Sequence, residues 1–278
     1  MVVVSIAGGL GNQMFQYALG RALALARGVP LKIDITWFDN SRIRRFELDA
    51  FNVAVELVGR SGMSDLKEEW RRGSPICQMT EKRFNFDPSV LTNPAQDLHV
   101  VGYWQSEKYF SSIAPILRRE LTLRKSPAQS TRRLAELIGG RSSAAVHLRR
   151  GDYDPNDQSN ALHRFLGLSY YARAVEIVRR RHPGCALFIF SDDPLWVQSN
   201  FRPAPPFEYV DPSTERSAPE ALYLMSLCQH QIIANSTFSW WGAWLNRNPD
   251  KLVVAPARWL GNDSVNTDDV IPEAWRQL

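Results

Sequence analysis

Ala144-Ala145-Val146-His147-Leu148-Arg149-Arg150-Gly151-Asp152 is a short apolar run that ends abruptly in charge. Five residues, 144–148, are too few for a stable helix and predict a strand buried on both faces, as in a parallel sheet. The charged residues then stand at its carboxyl end, where open α/β sheets bind their ligands. Two adjacent arginines there, flanked by His147 and Asp152, are out of keeping with solvated surface. A guanidinium forks onto two phosphate oxygens, so Arg149 and Arg150 predict a grip on a diphosphate whose charge grows as it leaves. Asp152 can orient an arginine or take the proton of an attacking hydroxyl. Two further readings stand beside this one. The first is an internal ion-pair network. The second is a metal-diphosphate site on Asp152-Tyr153-Asp154, which ranks lower because arginines already supply positive charge.

Moving outward, strands and helices alternate. Ser169 can cap a helix reaching Arg181, with a basic last turn and Pro183-Gly184 as its stop. Residues 186–190 predict a strand and 194–200 a short helix. Ser217 can cap a helix to His230, with Pro219 in its first turn. Residues 231–234 predict a strand, 237–246 a helix and 251–255 another strand. On the amino-terminal side, residues 2–7 and 31–35 read as strands and 12–27 as a helix. Residues 60–122 lack a clear period. Repeated β-α alternation implies a mostly parallel sheet covered by helices. The polar segment Arg124-Lys125-Ser126-Pro127-Ala128-Gln129-Ser130 is the natural join. The expected architecture is therefore α/β with two Rossmann-like domains, residues 1–125 and 131–278, facing a central cleft. The chain's last helix could pack back on the first domain.

Four segments fall at strand ends. Besides His147 to Asp152 they are Gly8-Gly9-Leu10-Gly11-Asn12-Gln13, Ser191-Asp192-Asp193 and Asn235-Ser236-Thr237-Phe238-Ser239. Glycines after a strand let the backbone approach an anion beside a helix start, and Asn12 and Gln13 add groups suited to phosphate or sugar oxygens. A dinucleotide site with Asp34 on the ribose is the rival, although Met14 replaces its third glycine and no Gly-Lys-Ser/Thr is present. In Ser191-Asp192-Asp193, a carboxylate can accept from the N1–H and amine of guanine, while Asp193-Pro194 can equally start the next helix. One aspartate of each kind is expected. Asn235, Ser236, Thr237 and Ser239 offer small polar groups at another helix start, where Ser236 could simply be the cap. Trp240, Trp241 and Trp244 share a helix face and read as core. His99, His163, His182 and His230 show no ligand spacing.

Composition narrows the class. Of 278 residues, 44% are hydrophobic and 22% charged, the balance of a soluble globular protein. The net charge of +4 is spread over arginine pairs such as Arg71-Arg72 and Arg118-Arg119, which suits a phosphorylated small molecule but does not by itself exclude nucleic acid or membrane. Cys77, Cys185 and Cys228 form no CxxC pair, so neither a zinc site nor a disulfide framework is expected and a reducing compartment is. The opening apolar stretch is too short for a signal peptide or a membrane span, and the sequons at Asn235 and Asn262 then read as chance.

Taken together, these segments resemble the bacterial α-1,2-fucosyltransferases and, more distantly, the α-1,6- and protein O-fucosyltransferases. The resemblance spans nearly the whole chain. It includes Gly8 to Ala18, the central Gly102-Tyr103-Trp104-Gln105-Ser106 with Lys108-Tyr109-Phe110, His147 to Tyr153, Phe190-Ser191-Asp192-Asp193 and the long run from Ile232 to Leu245. It implies a GT-B fold, GDP-fucose as donor, inversion at the anomeric carbon and no metal cofactor. It makes Arg149 the diphosphate clamp with His147 close by, and one of Asp192 and Asp193 the guanine reader. Asn12, Ser236 and Thr237 would hold phosphate or fucose, with Gly11, Gln13, Arg150, Ser191, Asn235 and Ser239 completing the donor site. Asp152 is the candidate base. The implied acceptor is O-2 of a terminal galactose in an oligosaccharide or lipid-linked glycan, with no nucleic-acid partner, in the cytoplasm or peripherally at the inner membrane. A transferase for another nucleotide sugar, an NAD(P)-dependent oxidoreductase and a non-catalytic glycan-binding module are the alternatives.

Overall fold

Val2, Val3 and Val4 have no exposed surface, and their β-branched side chains favour the extended backbone they adopt in β1 (Val2–Ser5). β1 is the centre of a parallel sheet. It pairs with β2 (Leu31–Asp34), Ser5 opposite Asp34, and with β5 (Leu98–Val101), Val4 opposite Val100. β3 (Glu56–Val58) and β4 (Cys77–Thr80) complete the order β3-β2-β1-β5-β4. The computed structural model describes residues 1–53, 55–73, 76–150, 165–211, 217–262 and 264–278. This first unit comprises Met1–Arg124 with Asp268–Val270, and the second Lys125–Thr267 with Ile271–Leu278.

In the first unit α1 (Leu10–Arg27) follows the glycine turn and is buried along most of its length. α2 (Arg60–Arg72) buries only Met63 and Leu66, against Val3 and Val58, so most of its surface is polar. The one-turn α3 (Ser89–Thr92) precedes β5, and α4 (Ala114–Glu120) follows it. Glu120 ties α4 to α1 by accepting from Arg21 at 2.7 and 3.0 Å and from the Tyr17 hydroxyl at 2.5 Å. The segment without a clear sequence period thus carries α2, β4, α3, β5 and α4.

In the second unit α5 (Gln129–Gly139) leads into β6 (Ser143–Leu148), every residue of which is buried. α6 (Gly167–Arg181), β7 (Ala186–Ser191), α7 (Pro194–Asn200) and β8 (Phe207–Tyr209) follow. Then come α8 (Ala218–Leu227), β9 (His230–Ile232), α9 (Thr237–Leu245), β10 (Val253–Ala255) and β11 (Arg276–Gln277). The order β11-β10-β9-β6-β7-β8 is parallel throughout and reverses direction at β6, as in doubly wound dinucleotide folds. Alternation along β6 divides the core. Ala144, Val146 and Leu148 pack with Tyr171, Ala174 and Val178 of α6, while Ala145 packs with Ile138 of α5 and Leu224 and Met225 of α8.

Several boundaries depart from expectation. Ser169 is not a cap: α6 starts two residues earlier, at Gly167 after Leu166, because Phe165, Leu166 and Leu168 pack on the core and draw the start upstream. Ser217 does cap its helix, in a reciprocal capping box with Glu220. The last helix is α9, within the second unit. The part of the carboxyl-terminal region that belongs to the first unit is Asp268–Val270, which is not helical. Beyond it the chain returns to the sheet edge, where Leu278 donates to Ala255 O at 3.0 Å. Trp240, Trp241 and Trp244 are buried as expected and pack ring on ring, with Trp275 5.3 Å from Trp240.

Candidate functional site

β6 and β9 are neighbours whose connections run to opposite sides of the sheet, so the carboxyl ends of these two strands define the ligand position of the second unit. Arg149 and Arg150 leave the end of β6. The next strand on the other side, β7, ends at Ser191, directly opposite Leu148, which brings Asp192 and Asp193 beside the arginines. Arg149 Nε donates to Asp192 Oδ2 at 3.0 Å, and the Arg150 amide donates to Asp192 Oδ1 at 2.7 Å. Arg150 Nη1 donates to Asp193 Oδ2 at 2.5 Å, and its guanidinium lies 4.3 Å from the centroid of the Trp196 ring. The ion-pair network foreseen as an alternative therefore exists. It does not replace the binding reading. Each pair is partly exposed, so its net stabilisation is about 0–1 kcal/mol, and its main effect is to fix where the guanidinium groups stand.

The two aspartates differ. Asp193 caps α7, accepting from Trp196 N at 3.3 Å, with Pro194 at the first helical position. Its own amide donates to Ser191 Oγ at 3.0 Å. Asp192 holds the side chain of Arg149 and the backbone amide of Arg150. On the other side of β6, Ile233 is fixed by the Tyr170 hydroxyl, which donates to its carbonyl at 2.8 Å. Asn235, Ser236 and Thr237 follow, half-buried, at the start of α9. Ser236 occupies the cap position but its side chain makes no capping bond. Ser239, by contrast, is fully buried and donates to Ala234 O at 3.4 Å and Ser236 O at 3.2 Å, which makes it part of the scaffold.

His147 faces this α9 start, its ring 5.7 Å from that of Phe238. Burial pushes its pKa down to about 4; Arg149 adds to the effect and Asp192 opposes it. The ring is therefore neutral at physiological pH, and its Nδ1 is buried without a hydrogen-bond partner. Gly151, Asp152 and Asp154 lie outside the described residues. Among the described residues no group of three or more histidines, cysteines or carboxylates is placed to hold a metal ion.

The first unit treats its polar residues differently. Gln13 has no exposed surface; its Nε2 donates to Gly8 O at 3.0 Å and Arg45 O at 2.8 Å, and its Oε1 accepts from Glu47 N at 2.9 Å. It stitches the Arg45–Glu47 backbone to the glycine turn. Gly11 is buried in α1, while Asn12 accepts from Gln105 Nε2 at 3.2 Å. Asp34 is unavailable to a ribose: its carboxylate accepts from Ser5 Oγ and from Thr36 N, both at 2.9 Å, and it is buried. Sequence reasoning missed Arg44, whose guanidinium lies beside the glycine turn, 3.8 Å from where a Cβ on Gly9 would stand. It also missed Glu81 and Trp196. The basic run Arg42 to Arg45, interrupted only by Ile43, was the one available signal for Arg44.

An arginine pair at a doubly wound switch point, beside two carboxylates, has the chemistry to hold an anion such as a diphosphate. The chain belongs to glycosyl transferase family 11, whose model matches residues 1–278. An α-1,2-colitosyltransferase of Escherichia coli is 31% identical, with 100% of this chain and 99% of that protein covered. A galactoside 2-α-L-fucosyltransferase of Caenorhabditis elegans is 28% identical, covering 100% of this chain and 79% of the relative. Among solved structures, Arabidopsis thaliana FUT1 in complex with GDP shares the fold at a TM-score of 0.57 and 13% identity, over 98% of this chain and 75% of that one. The chain is thus a glycosyltransferase, which removes the oxidoreductase and the non-catalytic module from consideration.

Proposed function

We propose that the protein transfers L-fucose from GDP-fucose, with inversion and without a metal, to O-2 of a terminal galactose on an oligosaccharide or lipid-linked glycan. The observation that carries this reading is the Arg149-Arg150 pair, set by Asp192 and Asp193 at the carboxyl end of β6, the neighbour of the strand that leads to α9. The match to a galactoside 2-α-L-fucosyltransferase supports the sugar and its target, and the two-unit parallel α/β fold supports a GT-B catalyst.

In this mechanism the galactose hydroxyl attacks the anomeric carbon as its bond to the diphosphate breaks. The electron pair leaves with GDP. Arg149 and Arg150 meet the growing charge on the diphosphate, and the amides at the start of α9, with Asn235, Ser236 and Thr237, bond its oxygens or the sugar. Asp193 is committed to capping α7, so Asp192 is the carboxylate assigned to guanine. Neutral His147 packs behind the arginines without adding a competing charge. Asp152 is assigned the proton of the acceptor.

The test offers GDP-fucose and a galactoside with and without a chelator and identifies the product by mass and linkage. Fucosylation at O-2 that survives chelation is expected. A wild-type protein that moves no fucose to any galactoside would sink the reading. The relationship to a colitosyltransferase favours one second reading, transfer of another deoxyhexose from its nucleotide, and a donor panel in the same assay separates the two.

A further inference from the structure

The stretch Gly102-Tyr103-Trp104-Gln105 carries part of the family resemblance, yet nothing in the donor chemistry uses it. It leaves the carboxyl end of β5, which lies beside β1 at the point where the first sheet reverses its order. Its backbone is unusual at two residues. Gly102 has φ +148°, and a Cβ there would stand 2.3 Å from Glu81 Cβ. Trp104 has φ +57°, a left-handed conformation that a bulky residue adopts only when its surroundings impose it.

Hydrogen bonds on every side of the turn impose it. The Glu81 carboxylate accepts from two successive amides, Tyr103 N at 2.7 Å and Trp104 N at 2.9 Å. Gln16 Nε2 donates to Gly102 O at 2.9 Å, while Gln16 Oε1 accepts from Ala7 N at 2.9 Å, locking the turn to the strand that precedes the glycine loop. Gln105 reaches Asn12 on the other side. Trp104 is buried with its ring edge-on to Tyr109, 5.6 Å away. Everything in the turn is held inward except one side chain. Tyr103 is 39% exposed, between a strained glycine and a buried tryptophan.

We infer that the turn is built to present the Tyr103 ring as a stacking platform for the acceptor sugar, with Glu81 as the positioning residue that fixes it. This rests on the reading above, fucosyl transfer to galactose, and names the group that recognises its acceptor. A tyrosine held by its backbone offers a large flat apolar face at little entropic cost, with a hydroxyl at its tip. The apolar face of a galactose ring, left clear by its axial 4-hydroxyl, matches such a surface. The reading above has arginines of the second unit meet the nucleotide's charges, whereas this turn offers an uncharged aromatic ring, the chemistry of a neutral sugar. Burial pushes the Glu81 carboxyl above its usual range and the two amides pull it back, so the carboxylate is stabilised chiefly by the turn that it holds.

The experiment measures acceptor and donor KM separately and titrates lactose into the donor-free enzyme. Tyr103→Ala should raise the acceptor KM about three- to tenfold with donor KM unchanged. Tyr103→Phe should stay within about twofold of wild type, since the ring is retained. Glu81→Gln should raise acceptor KM less than Tyr103→Ala does, leaving donor KM and kcat at saturating acceptor in place. Unchanged acceptor KM in Tyr103→Ala overturns the platform, as does Tyr103→Phe failing as badly as Tyr103→Ala. An equal rise in donor and acceptor KM in Glu81→Gln overturns the positioning role. A wild type inert toward GDP-fucose would break the functional reading alone, because lactose titration still reports on Tyr103. Wild type that binds no galactoside overturns the platform as well.

Discussion

The ligand-side residues of the two units are built on opposite principles. In the first unit Gln13, Gln16 and Glu81 direct their polar atoms at backbone amides and carbonyls, so that turns are rigid and side-chain charge is locally neutralised. In the second, Arg149 and Arg150 are opposed by Asp192 and Asp193, side chain to side chain, in partly exposed pairs. Backbone stitches cannot be exchanged without unfolding the turn. Ion pairs can be, because a diphosphate oxygen is an equal partner for a guanidinium. The first arrangement suits shape recognition of a neutral acceptor, and the second suits charge that must move during a reaction.

Arg149→Lys tests that division most severely. It keeps the charge and loses the planar fork, so kcat/KM should fall by about 100-fold or more. The thermal midpoint should move by no more than about 2 °C, since a surface pair contributes little to stability. Near-normal turnover would remove Arg149 from the chemistry, while a collapsed midpoint would show the pair to be structural and erase the contrast.

Acid should weaken the second unit before the first. His147 and His230 both have pKa values pushed down to about 4 by burial; His230 is further lowered by His182, stacked on it at 3.8 Å, and its Nδ1 accepts from Leu252 N at 3.1 Å. A base whose folded pKa lies below its unfolded value binds fewer protons when folded. Its stability is therefore complete above about pH 6.5 and lost as pH falls toward 4, at no more than about 1.4 kcal/mol per pH unit for each histidine. In the first unit His99 is also lowered by burial, but Asp34 opposes the shift. Hydrogen exchange followed from pH 7 to 4.5 should show protection lost earlier around β6 and β9 than around β1 and β5. Simultaneous loss in both units would count against this account.

Gln13→Leu sharpens the contrast from the other side. It leaves Gly8 O, Arg45 O and Glu47 N without their partner, which should cost about 2 kcal/mol of stability. Donor KM should change little, because no atom of Gln13 remains to meet a ligand. A variant with wild-type midpoint and a large donor KM defect would return Gln13 to the donor site that its residue type suggested.

These cases show what a sequence can and cannot disclose. β1, β6 and β7 were legible because strands buried on both faces must be continuously apolar, and the start of α8 because Ser217 and Pro219 mark it locally, although the helix ends at Leu227 and not at His230. β3 and β4 were not, since edge strands with exposed residues such as Glu56 and Gln78 need no apolar pattern. The arginine pair and its aspartates were legible from position, being charges at the ends of apolar strands. Gln13 and Ser239 looked like ligand groups because an amide or hydroxyl has the same chemistry whether it bonds a phosphate or a carbonyl; only burial separates the two. Glu81 was invisible, because its partners lie 22 and 23 residues away and nothing local marks them.

The smallest effect expected is also the most direct measure of exchangeable charge. Side chains of the pairs at the site are 23% to 37% exposed, and at 0.15 M salt the screening length is about 8 Å. Raising salt from 50 to 300 mM should weaken GDP binding about two- to fivefold, since the arginines meet the diphosphate partly in solvent. Lactose binding should stay constant, because stacking on Tyr103 moves no charge. Calorimetry of both ligands across the series reads the two slopes in one protein. Equal slopes would mean that the arginine pair and the Tyr103 turn act as one electrostatic surface, and the two units would then not differ in the way their side chains indicate.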